Sequence, residues 1–178
     1  MFQVLGYSKT MIILGIDPGL QKTGWGLIES RGSALRFVNC GLIKTNPAEP
    51  LAQRLAHLHA ALADIVAKSK PDSAAVEETF VNRNPASALK LGQARGVCLS
   101  VPALYGVPVS EYGANKVKKS VVGAGHADKA QIEMMVRRLL PACGAIGADE
   151  ADALAVAITH AHYGRTSHVI LSGTSACE

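Results

Sequence analysis

MIILGIDP, residues 11–18, is an apolar run cut off by Pro18-Gly19. A continuous apolar run reads as a strand buried on both faces, because a half-wet strand would alternate polar and apolar positions. It closes on one carboxylate, Asp17. Outward from it, residues 23–29 and 34–43 read as two further strands, with Gly32-Ser33 as the hairpin turn between them. Asn46 to Pro50 is a loop. Leu51, Leu55, Leu58, Leu62, Ile65 and Val66 form a helical stripe over 51–69, which Pro71-Asp72 breaks. Residues 73–78, SAAVEE, give a short strand, and Asn82 to Pro85 a polar turn. A helix over 85–104 follows, with Pro85 in its first turn. Gly92 and Gly96 share one face of it, either merely tolerated there or set for close packing on another helix. A strand at 107–111, helices at 114–122 and 127–140 joined by Gly-Ala-Gly-His, and a helix at 148–163 complete the order. A meander of three strands followed by alternating strands and helices predicts an α/β fold, a mixed sheet with helices on its faces.

The chain has 178 residues, the size of one domain, and 48% are hydrophobic, enough for a sizeable core. With 18% charged residues it falls outside the disordered class. No apolar run reaches the roughly 18–20 residues that span a bilayer. MFQVLGYSKT lacks the parts of a signal peptide, so a cytoplasmic protein with no membrane partner is expected. Residues 1–10 read as an extension, with Met11 as an alternative start, residues 11–163 as the domain, and 164–178 as a flexible tail.

The formal charge is +4, weak evidence by itself for a polyanionic partner. Its placement says more: Lys116, Lys118, Lys119, Lys129, Arg137 and Arg138 are opposed locally only by Asp128 and Glu133. That region suits phosphates, or is a solvated helix face. Cys40, Cys98, Cys143 and Cys177 are isolated and read as reduced core thiols. His57/His59 and His160/His162 are two apart, on different helix faces, which disfavours a joint metal site.

Four carboxylates occupy poor structural positions. Asp17 ends an apolar strand, Glu77 lies in the 73–78 strand, and Asp149 and Asp152 open the last helix at i and i+3, on one face. That helix is otherwise almost wholly apolar, hence buried, so its acidic entry points to an interior cleft. Each has a plainer reading. Asp17 could close the Asp-Pro-Gly turn on its own backbone. Asp149 could cap the helix and Asp152 complement its dipole. Glu77 could face solvent. Taken together, converging carboxylates repel unless a cation joins them. An all-oxygen set selects a hard ion, Mg²⁺ or Mn²⁺, and paired ions of this kind suit in-line phosphoryl chemistry.

ILGIDPG at 13–19, AVEETF at 75–80, SALKLGQARGV at 87–97, VKKSVVGAGHADKAQI at 117–132 and ADEADALAVAITH at 148–160 carry a resemblance to RuvC-type crossover junction endodeoxyribonucleases, the bacterial Holliday junction resolvases. It covers residues 11–163. The resemblance implies a ribonuclease H-like mixed five-stranded sheet with helices on both faces. It implies catalytic, metal-holding roles for Asp17, Glu77, Asp149 and Asp152, with two Mg²⁺ per site for which Mn²⁺ can substitute. It implies DNA contacts by Phe80, Lys118 and Lys129. Further implications are paired symmetric nicks in a four-way DNA junction, 5′-phosphate and 3′-hydroxyl ends, a homodimer built on the 85–104 helix, and a RuvA–RuvB branch-migration partner. His160, two turns beyond Asp152, is either an accessory of the metal site or a core hydrogen-bonding residue. The extension and the tail depart from the family pattern without touching the acidic motifs.

Three other readings stand beside this one. An enzyme cutting RNA in hybrids would share the carboxylates but not the 87–97 and 117–132 segments. A two-domain phosphate-handling ATPase, suggested by GIDPG, needs more than 178 residues. A junction-binding module without catalysis would not need four intact carboxylates.

Overall fold

The computed structural model describes residues 9–78, 84–125 and 127–171, with side chains through residue 164. The strands are β1 (Met11–Asp17), β2 (Lys22–Arg31), β3 (Ala34–Lys44), β4 (Ser73–Glu78) and β5 (Val109–Gly113). The helices are α1 (Leu51–Ser69), α2 (Pro85–Leu104), α3 (Ala114–Val122), α4 (Lys129–Leu139) and α5 (Ala148–Leu171). The sheet order is β3-β2-β1-β4-β5, with β1–β2 and β2–β3 antiparallel and β1–β4 and β4–β5 parallel. This is the mixed five-stranded sheet with helices on both faces that the resemblance implies.

Alternation along β1 decides what meets what. Leu14 and Ile16 join Ala74 and Val76 under α1 and α2. Ile13 and Ala75 point the other way, into the cluster built by α3, α4 and α5. By the same period of two, Gly15 and Asp17 share the α5 face. Ile16 pairs in register with Val76, so the next residues, Asp17 and Glu77, emerge side by side at one end of the sheet.

On that face α5 lies directly on backbone. Gly15 pairs with Gly26 across β1 and β2, and Asp17 with Gly24. A Cβ at Gly15 would stand 2.1 Å from the Ala153 carbonyl oxygen and 2.6 Å from the Ala157 nitrogen. One at Gly24 would stand 2.2 Å from the Asp149 carbonyl oxygen. Glycines on the sheet and alanines on the helix therefore let α5 sink until Ala153 through Ile158 are fully buried.

Several boundaries differ from the sequence reading. β5 covers 109–113 rather than 107–111: Pro108 has no N–H to give a ladder, though its carbonyl accepts from Ala74 N at 2.8 Å. α4 starts at Lys129 because Asp128 and Gln131 form a reciprocal capping box. A short 3-10 turn at Pro141–Cys143 was not expected. α5 runs to Leu171 instead of 163, since Gly164 alone does not stop a helix and no proline follows. Asp149 sits inside the first turn of α5, which begins at Ala148, so it is not the cap.

Candidate active site

The carboxyl ends of β1 and β4, the start of α5 and the first turns of α3 and α4 enclose a cavity of about 250 Å³. Asp17, Glu77 and Asp152 line it together with Lys118 and Lys129, over apolar surface from Val117 and Ile132. Three of the four carboxylates expected from the sequence thus converge. Asp149 lies outside the lining, but its charge reaches both Asp17 and Asp152.

Burial dominates the electrostatics. Asp17 is pushed up to about 8, first by desolvation and then by the charges of Glu77 and Asp152. A hydrogen bond between the two raises Asp17 further and lowers Glu77, so Asp17 is the one that holds its proton to higher pH. Glu77 is also raised, by burial and by Asp152, against the lowering effects of the Asp17 bond, Lys129 and Lys118. Asp152 is raised by burial and held back by Lys129, whose Nζ lies 3.5 Å from Asp152 Oδ2. The sequence argument treated the carboxylates as lacking cations; two lysines supply part of that charge.

The donor set fits a hard divalent ion. It is all oxygen, and its mutually repelling members would be neutralised by a cation. Among the described residues no three acidic, His or Cys side chains already stand at ligating spacing. An ion would relieve the repulsion among Asp17, Glu77 and Asp152, which Lys129 and Lys118 offset only in part.

Of the two readings of His160, the structure supports the core one. Its Nδ1 lies 2.9 Å from the Tyr112 hydroxyl and its Nε2 3.0 Å from Ser73 Oγ, so the ring ties α5 to β5 and β4. Phe80 lies outside the described residues. The basic region is not one stripe. Lys118 and Lys129 turn to the cavity, Lys116 sits 5.0 Å over the Tyr112 ring and 4.6 Å over Tyr163, and Arg137 pairs with Glu133 at 2.6 Å. On α2, a Cβ at Gly92 or Gly96 would meet nothing within 4 Å, and Leu89 is 67% exposed. Sequence reasoning missed Gly15 and Gly24, whose signal was glycine inside an otherwise apolar strand pair. It also missed Arg54, an arginine inside a leucine stripe.

A family model described as crossover junction endodeoxyribonuclease RuvC matches residues 13–160. A protein of that description from Methylocella silvestris is 58% identical over 164 residues, 92% of this chain and 93% of the relative. One from Afipia carboxidovorans is 53% identical over 169 residues, 95% of this chain and 98% of the relative. Among solved structures, Thermus thermophilus RuvC in complex with a Holliday junction substrate matches with a TM-score of 0.82 and 37% identity, over 88% of this chain and 96% of that one. The yeast mitochondrial Holliday junction resolvase Ydc2 matches at a TM-score of 0.62 and 13% identity, a likeness of fold.

Proposed function

The chain belongs to the RuvC family of crossover junction endodeoxyribonucleases, and from that premise we propose that it resolves four-way DNA junctions by metal-dependent hydrolysis at the Asp17 cavity. The observation that carries this reading is the convergence of Asp17, Glu77 and Asp152 on one cavity, where burial and mutual repulsion hold carboxylates above their ordinary range, an arrangement costly to a folded chain unless a cation uses it.

Asp17, Glu77 and Asp152 would hold the ions, with Asp149 completing the set from the first turn of α5. Divalent ions bound there, Mg²⁺ with Mn²⁺ as substitute, supply Lewis acidity at the scissile phosphate and lower the pKa of water. The chain's own residues do the rest. α5, pressed onto Gly15 and Gly24, fixes Asp149 and Asp152 against Asp17. Lys118, half-buried on α3, faces the cavity and offsets negative charge on the phosphate. Lys129, released from Asp152 once an ion is bound, becomes free to hold the DNA backbone. Phe80, two residues past β4, is assigned to stacking on an unpaired base at the crossover.

A homodimer would give two sites related by symmetry and hence paired nicks on strands of like polarity, leaving ligatable 5′-phosphate and 3′-hydroxyl ends. The open face of α2 around Leu89, Gly92 and Gly96 suits such an interface. RuvA–RuvB would supply the junction by branch migration. A cytoplasmic site of action follows from that substrate, and among the described residues no helix is long and apolar enough to cross a membrane.

The test is cleavage of a synthetic four-way junction, with linear duplex and an RNA–DNA hybrid alongside, in Mg²⁺ and in EDTA. The reading expects paired nicks in the junction alone, lost in EDTA and in Asp152→Asn while junction binding persists. Binding without cleavage by the wild type across Mg²⁺, Mn²⁺ and several junction sequences would withdraw the catalytic assignment.

A further inference from the structure

A second cavity, about 300 Å³, opens on the other side of the β1–β2 turn and is lined by Arg54, Lys90, Ser87 and Gln21. Its chemistry is the reverse of the first: two cations and no carboxylate line it. Arg54 is only 8% exposed. Its Nε donates to Thr45 Oγ1 at 3.0 Å and its Nη2 to the Leu20 carbonyl at 3.2 Å, both neutral acceptors. Among the described residues no carboxylate lies within ion-pair reach of it. A guanidinium has five N–H donors, so about three remain. A buried cation without an anion is costly, and here a cavity adjoins it.

A purely structural role, tying α1 to the β1–β2 turn, accounts for the two bonds Arg54 makes. It does not account for Lys90, on a different helix, facing the same space. Nor is the cavity a bare helix end: the amides of Ala86 and Ser87 are already taken by the Asn84 side chain, at 3.0 and 3.3 Å. The available donors are side chains.

We propose that the Arg54–Lys90 cavity binds a backbone phosphodiester of the DNA strand that runs through the catalytic cavity. This rests on the reading of the chain as a junction nuclease. Gln21 follows Asp17 by four residues, at most about 14 Å of chain. Both cavities therefore open at the same end of β1, where one strand passing round the end of the sheet reaches both. Arg54, locked by Thr45 and Leu20, supplies the fixed geometry, and Lys90 and Ser87 close on the phosphate from α2. The site sets the register of the strand over the carboxylates and carries no sequence information.

The experiment is equilibrium binding of the full chain in EDTA to a labelled junction and to linear duplex between 50 and 300 mM salt, for wild type, Lys90→Gln, Arg54→Gln and Arg54→Lys. Lys90 is exposed, so its variant folds, and thermal melting checks the Arg54 variants separately. The expected result is weaker binding and a log–log salt slope shallower by about 0.9 in Lys90→Gln and Arg54→Gln, on both DNAs, with partial recovery in Arg54→Lys. An unchanged slope in Lys90→Gln overturns the proposal. So does an Arg54→Gln variant that melts lower but keeps the wild-type slope, since its role is then structural. Orthophosphate is the second arm. If it raises the melting temperature of the wild type but not of Lys90→Gln, and the DNA slopes agree, the cavity is a free-phosphate site and the DNA assignment falls. Failure of the junction reading looks different: the wild type then binds junction no better than duplex, whatever the variants do.

Discussion

Asp17 and Arg54 are both buried charges served by the β1–β2 turn, yet the chain treats them oppositely. Arg54 is given fixed neutral acceptors and keeps its charge beside a cavity that lacks acids. Asp17 is buried and then placed against two more carboxylates, which together push its pKa up to about 8. The cationic side is preorganised, with Arg54 held in place by two neutral acceptors and its remaining donors left for an anion. The acidic side is left frustrated until an ion enters, the usual condition of a site whose strain serves chemistry rather than stability.

The largest break in that contrast is removal of the acid itself. Asp17→Asn, or chelation of the wild type, should lower junction cleavage more than about a thousandfold, because several kcal/mol of charge stabilisation is lost at 1.36 kcal/mol per tenfold. Junction binding in EDTA should survive, since the Arg54 side is untouched. Single-turnover cleavage and gel-shift assays read the two halves separately; loss of both together would mean the two cavities are not independent.

Next comes the scaffold of the acidic side. Gly15→Ala puts a Cβ 2.1 Å from a backbone oxygen of α5, which no side-chain rotation relieves. Overpacking of this kind costs about 1–3 kcal/mol. The melting temperature should fall, and cleavage should fall further than stability explains, because α5 moves its two carboxylates away from Asp17. The Arg54 cavity lies on the opposite face of the sheet, under α1 and α2, so the salt slope of binding should hold. A Gly15→Ala protein with wild-type cleavage would mean that α5 need not lie so close.

A third prediction concerns pH and the metal-free protein. The folded-state pKa of Asp17, about 8, exceeds its ordinary value of 3.8. Its contribution to stability is therefore present in full below about pH 4 and is lost as pH rises through 8. In EDTA the wild type should lose stability between pH 6 and 9, and Asp17→Asn should flatten that loss and be more stable at pH 9, by on the order of 1–3 kcal/mol. Divalent ion should restore the wild type and not the variant. Denaturant melts at the two pH values decide it; a wild type that gains stability toward pH 9 in EDTA would place Asp17 in a far less hostile setting.

These outcomes bear on what a sequence can reveal. The five strands, the mixed sheet and the grouping of Asp17, Glu77 and Asp152 were legible because period and chain order carry them: a run that ends on Asp17, a short strand that carries Glu77 near its end, a buried helix with Asp152 near its start. What was not legible depends on distance between segments far apart in sequence. Gly15 and Gly24 look like weak strand residues until α5 is seen resting on them. His160 reads as either a metal accessory or a core residue until Tyr112 and Ser73 are seen against its two ring nitrogens. Arg54 looks like a solvated helix residue, and only the fold shows it under the turn. The end of α5 escaped for a simpler reason: a single glycine was read as a stop.

The smallest effect separates the two lysines, which sequence alone does not rank. Lys118 is half-buried on α3, while the Lys129 side chain is 74% exposed and its Nζ lies 3.5 Å from Asp152. Both lower the pKa of Glu77 and Asp152, so both help the carboxylates ionise. An exposed charge is screened by water and salt, and a divalent ion held by Asp152 would supply more positive charge than Lys129 does, so the help of Lys129 would be largely replaced. Lys118→Ala should therefore lower the single-turnover rate in saturating Mg²⁺ by about ten- to a hundredfold, the range for groups that act around metal ligands. Lys129→Ala should cost less in rate, and its larger signature should be a raised Mg²⁺ requirement at low pH, where the carboxylates lose the ammonium that kept them ionised. Rate against Mg²⁺ concentration at pH 6 and 8, for both variants, separates the roles. Equal rate losses with unchanged metal dependence would mean that Lys129 stays on the DNA side of the cavity throughout and never acts on the acids.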